Sequence, residues 1–200
     1  MTQKQFLELC DFARIKMSNT KEPQHNWDHV RRVGENAIKI VELLGIKDKI
    51  DHKLLLSACN IHDLAISQHK PYKPSFFGSL VNNLFEGCLI NRYLPKVLQN
   101  FNLDEKDREI LLTAVRNHPL SFPYKHLNRN KDLYSKILQD ADTLDMFSVE
   151  RIKLFEENEK IYKSYKVAGY FKNPILSYGL RNLCKFLNFP ELAQKFKSDW

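Results

Sequence analysis

The residue pair with the clearest chemical potential in this sequence is His62-Asp63, which ends its most apolar stretch. A carboxylate buried among apolar residues costs several kcal/mol unless it is paired or bound to a metal. Adjacent helical residues point about 100° apart, yet both can reach one ion lying beside the helix. A mixed imidazole and carboxylate set suits Mn, Fe, Co, Ni or Zn better than Mg or Ca. Two ligands do not make a site, so others must come from elsewhere in the chain.

His29 is a candidate for a further ligand, near the start of a predicted helix. Arg32 and Val33 follow it at three and four residues, so all three share one helix face. Val33 would anchor that face in the core. His29 and Arg32 could then present a metal ligand and a phosphate clamp together.

The acidic run at residues 139–145, QDADTLD, is the last candidate. If the run is helical, Asp140 and Asp142 lie about 200° apart and cannot both face one ion, whereas Asp142 and Asp145 can. We therefore take Asp142 as a ligand, with Asp140 or Asp145 supporting the ligands from behind.

Each of these signals has a simpler interpretation when taken alone. His62 is then a histidine satisfied at a helix end, and His29 is an exposed residue at a helix start. The acidic run is then an N-capping cluster, since carboxylates are favourable at helix N-termini. The ordered combination is what favours a metal site.

That combination resembles the HD-domain phosphohydrolase superfamily, whose signature is H…HD…D on an all-α helical bundle. The resemblance is carried by DHVRRV at 28–33, His62-Asp63, NHP at 117–119 and DADTLD at 140–145. The intervals of 33 residues from His29 to His62 and 79 from Asp63 to Asp142 look typical of small stand-alone members. The match covers about residues 25–148.

The resemblance implies a divalent metal held by His29, His62, Asp63 and Asp142. It also implies catalytic roles for Asp63, for Arg32, which matches the basic residue of an H-x-x-R-V pattern, and for His118, which would contact substrate or a second metal. His118 could equally end a helix before Pro119. The implied activity is hydrolysis of a phosphate mono- or diester, and the implied substrate is a small phosphorylated molecule, commonly a nucleotide.

The sequence also departs from the pattern of this superfamily. Many members place another histidine between the HD pair and the position of His118 and use it for a second metal. Residues 76–94 contain no histidine, and Glu86 and Asn83 are the polar residues that could stand in. This departure favours one metal ion over two. Ile66 occupies the place of an acidic residue found in guanosine-polyphosphate hydrolases, and Asp63 is not followed by the Ile-Gly-Lys of the cyclic-dinucleotide branch.

The elements that must position these residues are helices, because glycine is scarce and apolar residues recur at helical spacing. Asp28 is a candidate N-cap and Gly45 a candidate C-cap. We expect a single domain over residues 1–200, with helices 149–200 packed on a motif-bearing core at about 25–148. Roughly nine helices and no strand are predicted, at 3–17, 27–44, 52–61, 76–94, 104–117, 130–140, 142–168, 174–187 and 190–199.

The sequence does not assign a role to the proline-containing segment 68–75 or to the aromatic residues near the C-terminus. Residues 68–75 read as a loop beside the site, in which Lys70 and Lys73 could guide phosphates or simply be solvated. The aromatic residues near the C-terminus are expected in the core or a pocket wall rather than on an interaction surface. They include Tyr162, Tyr165, Tyr170 and Phe171.

Composition bounds the partners without choosing among them. The net charge of +7 attracts polyanions, but nucleic-acid binding would rest on charge alone, and a solvated lysine-rich surface is the favoured explanation of this charge. No signal peptide and no apolar run of about 18–20 residues is present, so we expect a cytoplasmic protein with no membrane partner. The four cysteines have no metal-site spacing and are expected as buried thiols.

Two rival functions come from other classes. A non-catalytic module of the same fold would hold metal and nucleotide without turnover. A di-iron oxygenase on the same scaffold would need more histidine ligands than this sequence offers.

Overall fold

Every regular element of the computed structural model is helical among the residues it describes, which are 1–20, 24–67, 76–119 and 132–196, with the side chains of 76–84 and 164 left aside. The all-α prediction is therefore confirmed. One 3-10 turn spans Lys47–Lys49, and the α-helices are α1 (Gln3–Ser18), α2 (Trp27–Leu44), α3 (His52–Ile61), α4 (Leu64–Ser67), α5 (Phe76–Leu98), α6 (Glu105–Asn117), α7 (Leu133–Met146), α8 (Val149–Ile161), α9 (Lys163–Arg181), α10 (Leu183–Phe186) and α11 (Leu192–Phe196).

Helix α2 carries the first candidate ligand, and its ends are fixed by local chemistry. Asn26 caps its start by accepting a hydrogen bond from the backbone N–H of His29. The prediction of Asp28 as the N-cap was wrong, since Asp28 lies within the first turn. Gly45 ends the helix in the left-handed region, at φ 64°, which glycine adopts without strain.

Helix α3 lies at the centre of the bundle, where it packs against α1, α2, α6 and α7. Asp51 caps it by accepting from the N–H groups of Lys53 and Leu54. Its last turn delivers His62 with helical backbone angles, immediately before the short helix α4. The most apolar helix of the sequence thus ends where the site begins.

Helix α7 carries the acidic run, and it is continuous where the sequence suggested a break. Asp132 caps its start, and the helix runs through Asp140 and Asp142 to Met146. The predicted helix at 142–168 is instead divided: Ser148 caps α8, and Tyr162 separates α8 from α9.

Helix α9 also differs from prediction, because it runs unbroken from Lys163 to Arg181 with Pro174 inside it. Proline supplies no N–H to the carbonyl four residues before it, a loss that neighbouring packing can offset. Tyr165 is buried as expected, but Tyr170 is 77% and Phe171 63% exposed. The expectation that these two line a core or pocket was therefore wrong.

One hydrophobic cluster extends from Leu9 in α1 to Phe196 in α11 and so includes residues of the C-terminal helices. The last of them, α11, contacts α2 directly, because the ammonium of Lys39 lies 4.7 Å from the centre of the Phe196 ring. The domain count itself stays a prediction.

The remaining predictions from the sequence concern the loop 68–75, membrane-spanning helices and the cysteines. The loop 68–75 with Lys70 and Lys73 lies outside the described residues, as does the side chain of Asn83. Within the described part of the chain, no helix is both long and apolar enough to cross a bilayer. Cys59 is buried and Cys10 half-buried, but Cys88 and Cys184 are exposed, contrary to expectation.

Candidate metal centre

Three histidine side chains in the bundle are oriented alike. In each ring Nδ1 lies within hydrogen-bond distance of an atom that can only accept, so Nδ1 carries the hydrogen and Nε2 of the neutral ring carries a free electron pair. This arrangement fixes the tautomer in the way that metal-binding histidines require. The acceptors are Asp145 Oδ2 for His29 at 2.7 Å, the Cys59 carbonyl for His62 at 2.6 Å, and the Val115 carbonyl for His118 at 2.7 Å.

Two of these Nε2 atoms meet two carboxylates in one place. His29 Nε2 lies 3.2 Å from His62 Nε2, 3.1 Å from Asp63 Oδ2 and 3.5 Å from Asp142 Oδ1. His62 Nε2 lies 3.3 Å from the same Asp63 oxygen. Around a cation with bonds of about 2.0–2.2 Å, neighbouring ligand atoms lie roughly 3.0–3.5 Å apart. The four predicted ligands are thus brought together at spacings that suit one cation.

While the imidazoles are neutral, the electron pairs of this cluster have no hydrogen between them to share. Asp63 Oδ2 is buried and accepts no hydrogen bond from a described residue, and the Nδ1 hydrogens of His29 and His62 are directed elsewhere. Buried acceptors in contact repel one another unless a proton or a cation lies among them. The arrangement is therefore unfavourable by itself and favourable around positive charge.

Burial of the cluster is uneven, which gives it one open side. His29 and His62 are each 1% exposed and Asp63 is 2% exposed, whereas the Asp142 side chain is 23% exposed. A ligand such as water or a phosphate group could reach the cluster beside Asp142.

The pKa values of the cluster are shifted in the directions that favour positive charge within it. Burial by itself would lower the pKa of His62, but the carboxylates of Asp63 and Asp142 outweigh burial and raise this pKa to about 9. Burial would raise the pKa of Asp63, yet the imidazoles of His62 and His25 hold it well below its ordinary value. Both shifts favour a bound cation over a neutral site.

Asp145 supports His29 from behind. Besides the contact with His29, Asp145 accepts from Arg32 Nε at 2.5 Å and Nη2 at 3.3 Å and from Ser148 Oγ at 3.3 Å, with Arg151 Nη1 at 4.0 Å. Burial would raise the pKa of Asp145, but His29 and Arg32 lower it. Asp142 and Asp145 thus share a face of α7, as their spacing indicated.

The arginines at the site are committed to Asp145. Arg32, expected as a phosphate clamp, is 13% exposed and donates at least two hydrogen bonds to that carboxylate. Its contact with substrate therefore stays a prediction. Arg151 was missed, because the end of α7 at Phe147 brings it back beside Asp145. No helical spacing rule indicates such a return.

His118 lies next to the cluster and faces a carboxylate of its own. Its ring centre is 5.0 Å from that of His62, and its Nε2 is 3.1 Å from Glu86 Oε1. Ligand atoms of His62, Asp63 and His118 lie within 4.8 Å of one another. Burial would lower the pKa of His118, but Glu86 raises it. Glu86, one of the two proposed polar stand-ins, therefore does reach the site.

His25 is a further residue near the site, and no motif in the sequence singled it out. It is partly buried, and its ring stands edge-on to that of His29, with centres 5.8 Å apart. Its position four residues before His29 was the only available signal.

Comparison with known proteins agrees with this geometry. The sequence matches the HD domain family over residues 26–146, a range that contains all four predicted metal ligands. No curated protein matches the sequence.

Three solved structures resemble the fold at 19–20% identity, which supports the fold alone. A Lactobacillus plantarum protein has a TM-score of 0.56 at 20% identity, with 80% of this chain covered and 64% of that one, so this chain spans less than two thirds of its length. A predicted HD superfamily hydrolase from an uncultured Thermotogales bacterium has a TM-score of 0.50 at 20% identity, covering 90% and 91%. Bacillus subtilis YpgQ in complex with ADP has a TM-score of 0.56 at 19% identity, covering 96% and 87%.

Proposed function

The chain belongs to the HD domain family, and on that premise we propose that it is a metal-dependent phosphohydrolase. Its substrate would be a phosphate mono- or diester of a small nucleotide-like or otherwise phosphorylated metabolite. The observation that carries the proposal is the convergence of four ligand atoms. His62 Nε2, Asp63 Oδ2 and Asp142 Oδ1 lie 3.1–3.5 Å from His29 Nε2, and the Nδ1 hydrogens of both rings are donated to other acceptors.

A divalent cation would be held by His29, His62, Asp63 and Asp142. Two nitrogen and two oxygen donors suit Mn, Fe, Co, Ni or Zn better than Mg. When bound, such a cation makes water a competent nucleophile at neutral pH and neutralises charge on a phosphoryl oxygen. The unpartnered Oδ2 of Asp63 supports this assignment, since a buried carboxylate oxygen needs a positive partner.

The side chains around the cation would carry the remaining steps. Asp63 would orient the attacking water and take up its proton, because it is the more buried of the two carboxylates at the site. His118 lies close enough to the pair at 62–63 to neutralise charge on non-bridging phosphate oxygens. Arg32 and Arg151 hold Asp145 in place, and Asp145 in turn keeps His29 in its ligand orientation. The two arginines also add positive potential beside the site.

A nucleotide is the substrate class that the available observations favour. The structural neighbour from Bacillus subtilis is in complex with ADP, and the net charge of +7 attracts anionic substrates. Nucleic acid has no support beyond that charge.

The test is a substrate screen on protein of defined metal content. The purified chain is stripped of metal, reloaded with Mn²⁺, Co²⁺ or Ni²⁺, and assayed for phosphate release from nucleotides and sugar phosphates. We expect turnover that requires the metal and falls at least ~1,000-fold in Asp63→Asn, since a lost metal function is worth several kcal/mol. His52→Ala, at the first residue of α3 on the opposite end from His62, should retain full activity.

Two outcomes would contradict the proposal. A metal-loaded Asp63→Asn protein with the native rate would remove Asp63 from the chemistry. A nucleotide bound at stoichiometric metal without any hydrolysis would select the non-catalytic binding module instead.

A further inference from the structure

We propose that the outer face of helix α9 binds the surface of an anionic lipid bilayer, with the helix lying flat among the headgroups rather than crossing the bilayer. This inference goes beyond the proposed function and does not depend on it. It replaces the expectation of no membrane partner, which rested on the absence of an apolar run long enough to span.

The outer face of α9 is an exposed stripe of large apolar side chains. Val167, Phe171, Ile175 and Tyr178 follow one another at spacings of four, four and three residues, and Tyr170 lies one turn after Val167. At about 100° per residue, these five side chains occupy about 140° of the helix circumference. Their exposed fractions range from 45% for Ile175 to 77% for Tyr170. A single exposed apolar residue is ordinary, but a contiguous stripe indicates an interaction surface.

The opposite face of α9 fixes the helix to the bundle and so holds the stripe in position. Tyr165 and Ala168 are buried, and α9 packs against α5, α8 and α10. Lys172 faces α8, since its ammonium lies 3.1 Å from Glu156 Oε1 and 3.8 Å from Glu159 Oε2. These carboxylates of α8 therefore lie on the side of α9 that faces away from the stripe.

The charge of α9 selects an anionic occupant for this face. The helix sequence, KSYKVAGYFKNPILSYGLR, contains four basic residues and no Asp or Glu. Apart from Lys172, the basic residues are exposed, and they are Lys163, Lys166 and Arg181. Lysine and arginine side chains are attracted to anionic headgroups, and aromatic side chains such as tyrosine suit the boundary between headgroups and acyl chains.

Other occupants match only one property of this face. In a symmetric dimer the same patch would lie on both subunits, so basic residues would meet basic residues with no carboxylate of α9 to offset them. Nucleic acid would satisfy the charge, but its bases stack on aromatic groups and would leave Val167 and Ile175 unmatched. A bilayer surface accepts an apolar stripe and the cations beside it together.

The experiment measures sedimentation of the purified chain with lipid vesicles. The vesicles contain phosphatidylcholine either alone or with about one third phosphatidylglycerol. We expect the native chain to bind the anionic vesicles at least ~10-fold more tightly than the neutral ones, and added salt to weaken this binding. The measurement requires neither metal nor substrate.

Two variants with matched controls locate the binding on α9. Phe171→Ser should weaken binding to anionic vesicles at least ~10-fold, because an aromatic group is lost from the stripe. Its control is Ile15→Ser on α1, a site of similar exposure at 57% against 63%, which should bind like the native chain. Lys166→Gln should weaken binding about 5-fold. Its control is Lys4→Gln, also on α1 with a side chain 87% exposed, which should leave binding unchanged.

The outcomes separate this inference from its alternatives and from the proposed function. A native chain that does not sediment with anionic vesicles at millimolar lipid would overturn the inference, and so would unchanged binding by Phe171→Ser. Light scattering that shows a native dimer and a Phe171→Ser monomer would assign the face to a second copy instead. Vesicle binding on α9 without hydrolysis of any phosphate ester would support the inference while refuting the hydrolase.

Discussion

Helix α7 presents carboxylates on two sides, and the two sides differ in what surrounds them. On one side Asp140, fully buried, accepts from the backbone N–H groups of Asn188 at 2.7 Å and Phe189 at 3.0 Å and from Asn188 Nδ2 at 2.8 Å. Every contact there joins a donor to an acceptor. This carboxylate fastens the C-terminal segment to α7.

On the other side Asp142 faces His29, whose Nε2 also contacts His62 and Asp63. Here acceptors face acceptors, and the hydrogens of the imidazoles are directed away. A negative charge on the inward-facing part of α7 does not by itself identify a ligand, since both aspartates have it. The match between donors and acceptors separates a structural anchor from a site that requires a cation.

The largest effect is expected when Asp142 is neutralised. In Asp142→Asn we expect metal affinity to fall at least ~100-fold and turnover at least ~1,000-fold, because a ligand to the cation is lost. The free energy of unfolding of the metal-free protein should change by less than about 1 kcal/mol, since the Asp142 side chain is 23% exposed and the substitution preserves its size. Metal analysis and urea unfolding measure both. A variant with native metal content would remove Asp142 from the site.

The reciprocal change is Asp140→Asn on the opposite side of α7. It weakens three partly buried hydrogen bonds to a charged acceptor, so we expect a loss of about 2 kcal/mol in the free energy of unfolding and ~4–8 °C in Tm. Metal content should stay native. If metal were lost while stability was retained, the roles assigned to the two sides would be exchanged.

The smallest expected effect is a pH dependence of the metal-free protein. The pKa of His62 is about 9 in the folded chain against an ordinary 6.5, because Asp63 and Asp142 outweigh its burial. A pKa raised by folding contributes stability that is complete below pH 6.5 and is lost as pH rises through about 9. The urea midpoint of stripped protein should fall over that interval.

Two variants test whether this pH dependence comes from His62 and its contact with Asp142. Asp142→Asn should show a shallower fall with pH, since one of the carboxylates that raise the pKa of His62 is gone. Asp140→Asn should keep the native slope at lower stability. Equal slopes in all three proteins would mean that His62 does not respond to Asp142.

Much of the fold and the membership of the candidate site followed from local patterns. The apolar stripe of α2 and the run ending at His62 depend on spacing within one helix, which a sequence displays directly. Gly45 and Asp51 could be assigned because a cap is decided by its own few residues. The shared face of Asp142 and Asp145 followed from helix geometry.

The remainder depended on contacts between distant elements. The partner of Asp145 is 116 residues away at His29, and Asp140 meets Asn188 from a different part of the chain. Glu86 could be proposed as a stand-in, but its contact with His118 depends on how α5 packs against α6. The continuity of α7 escaped prediction because the satisfaction of Asp140 by Asn188 is invisible in the local sequence.

Asp145 links the candidate metal centre to a helix that bears no ligand. One of its oxygens accepts from His29, and the other is 3.3 Å from Ser148 Oγ, which caps α8. Free-energy coupling between two such events is reciprocal. If cation binding raises the equilibrium constant for folding of the first turn of α8 by some factor, the folded turn must raise the cation affinity by the same factor. A partner or substitution that stabilises this turn would then tighten cation binding. The C-terminal helices would in this way become a place from which affinity at His29 can be adjusted at a distance.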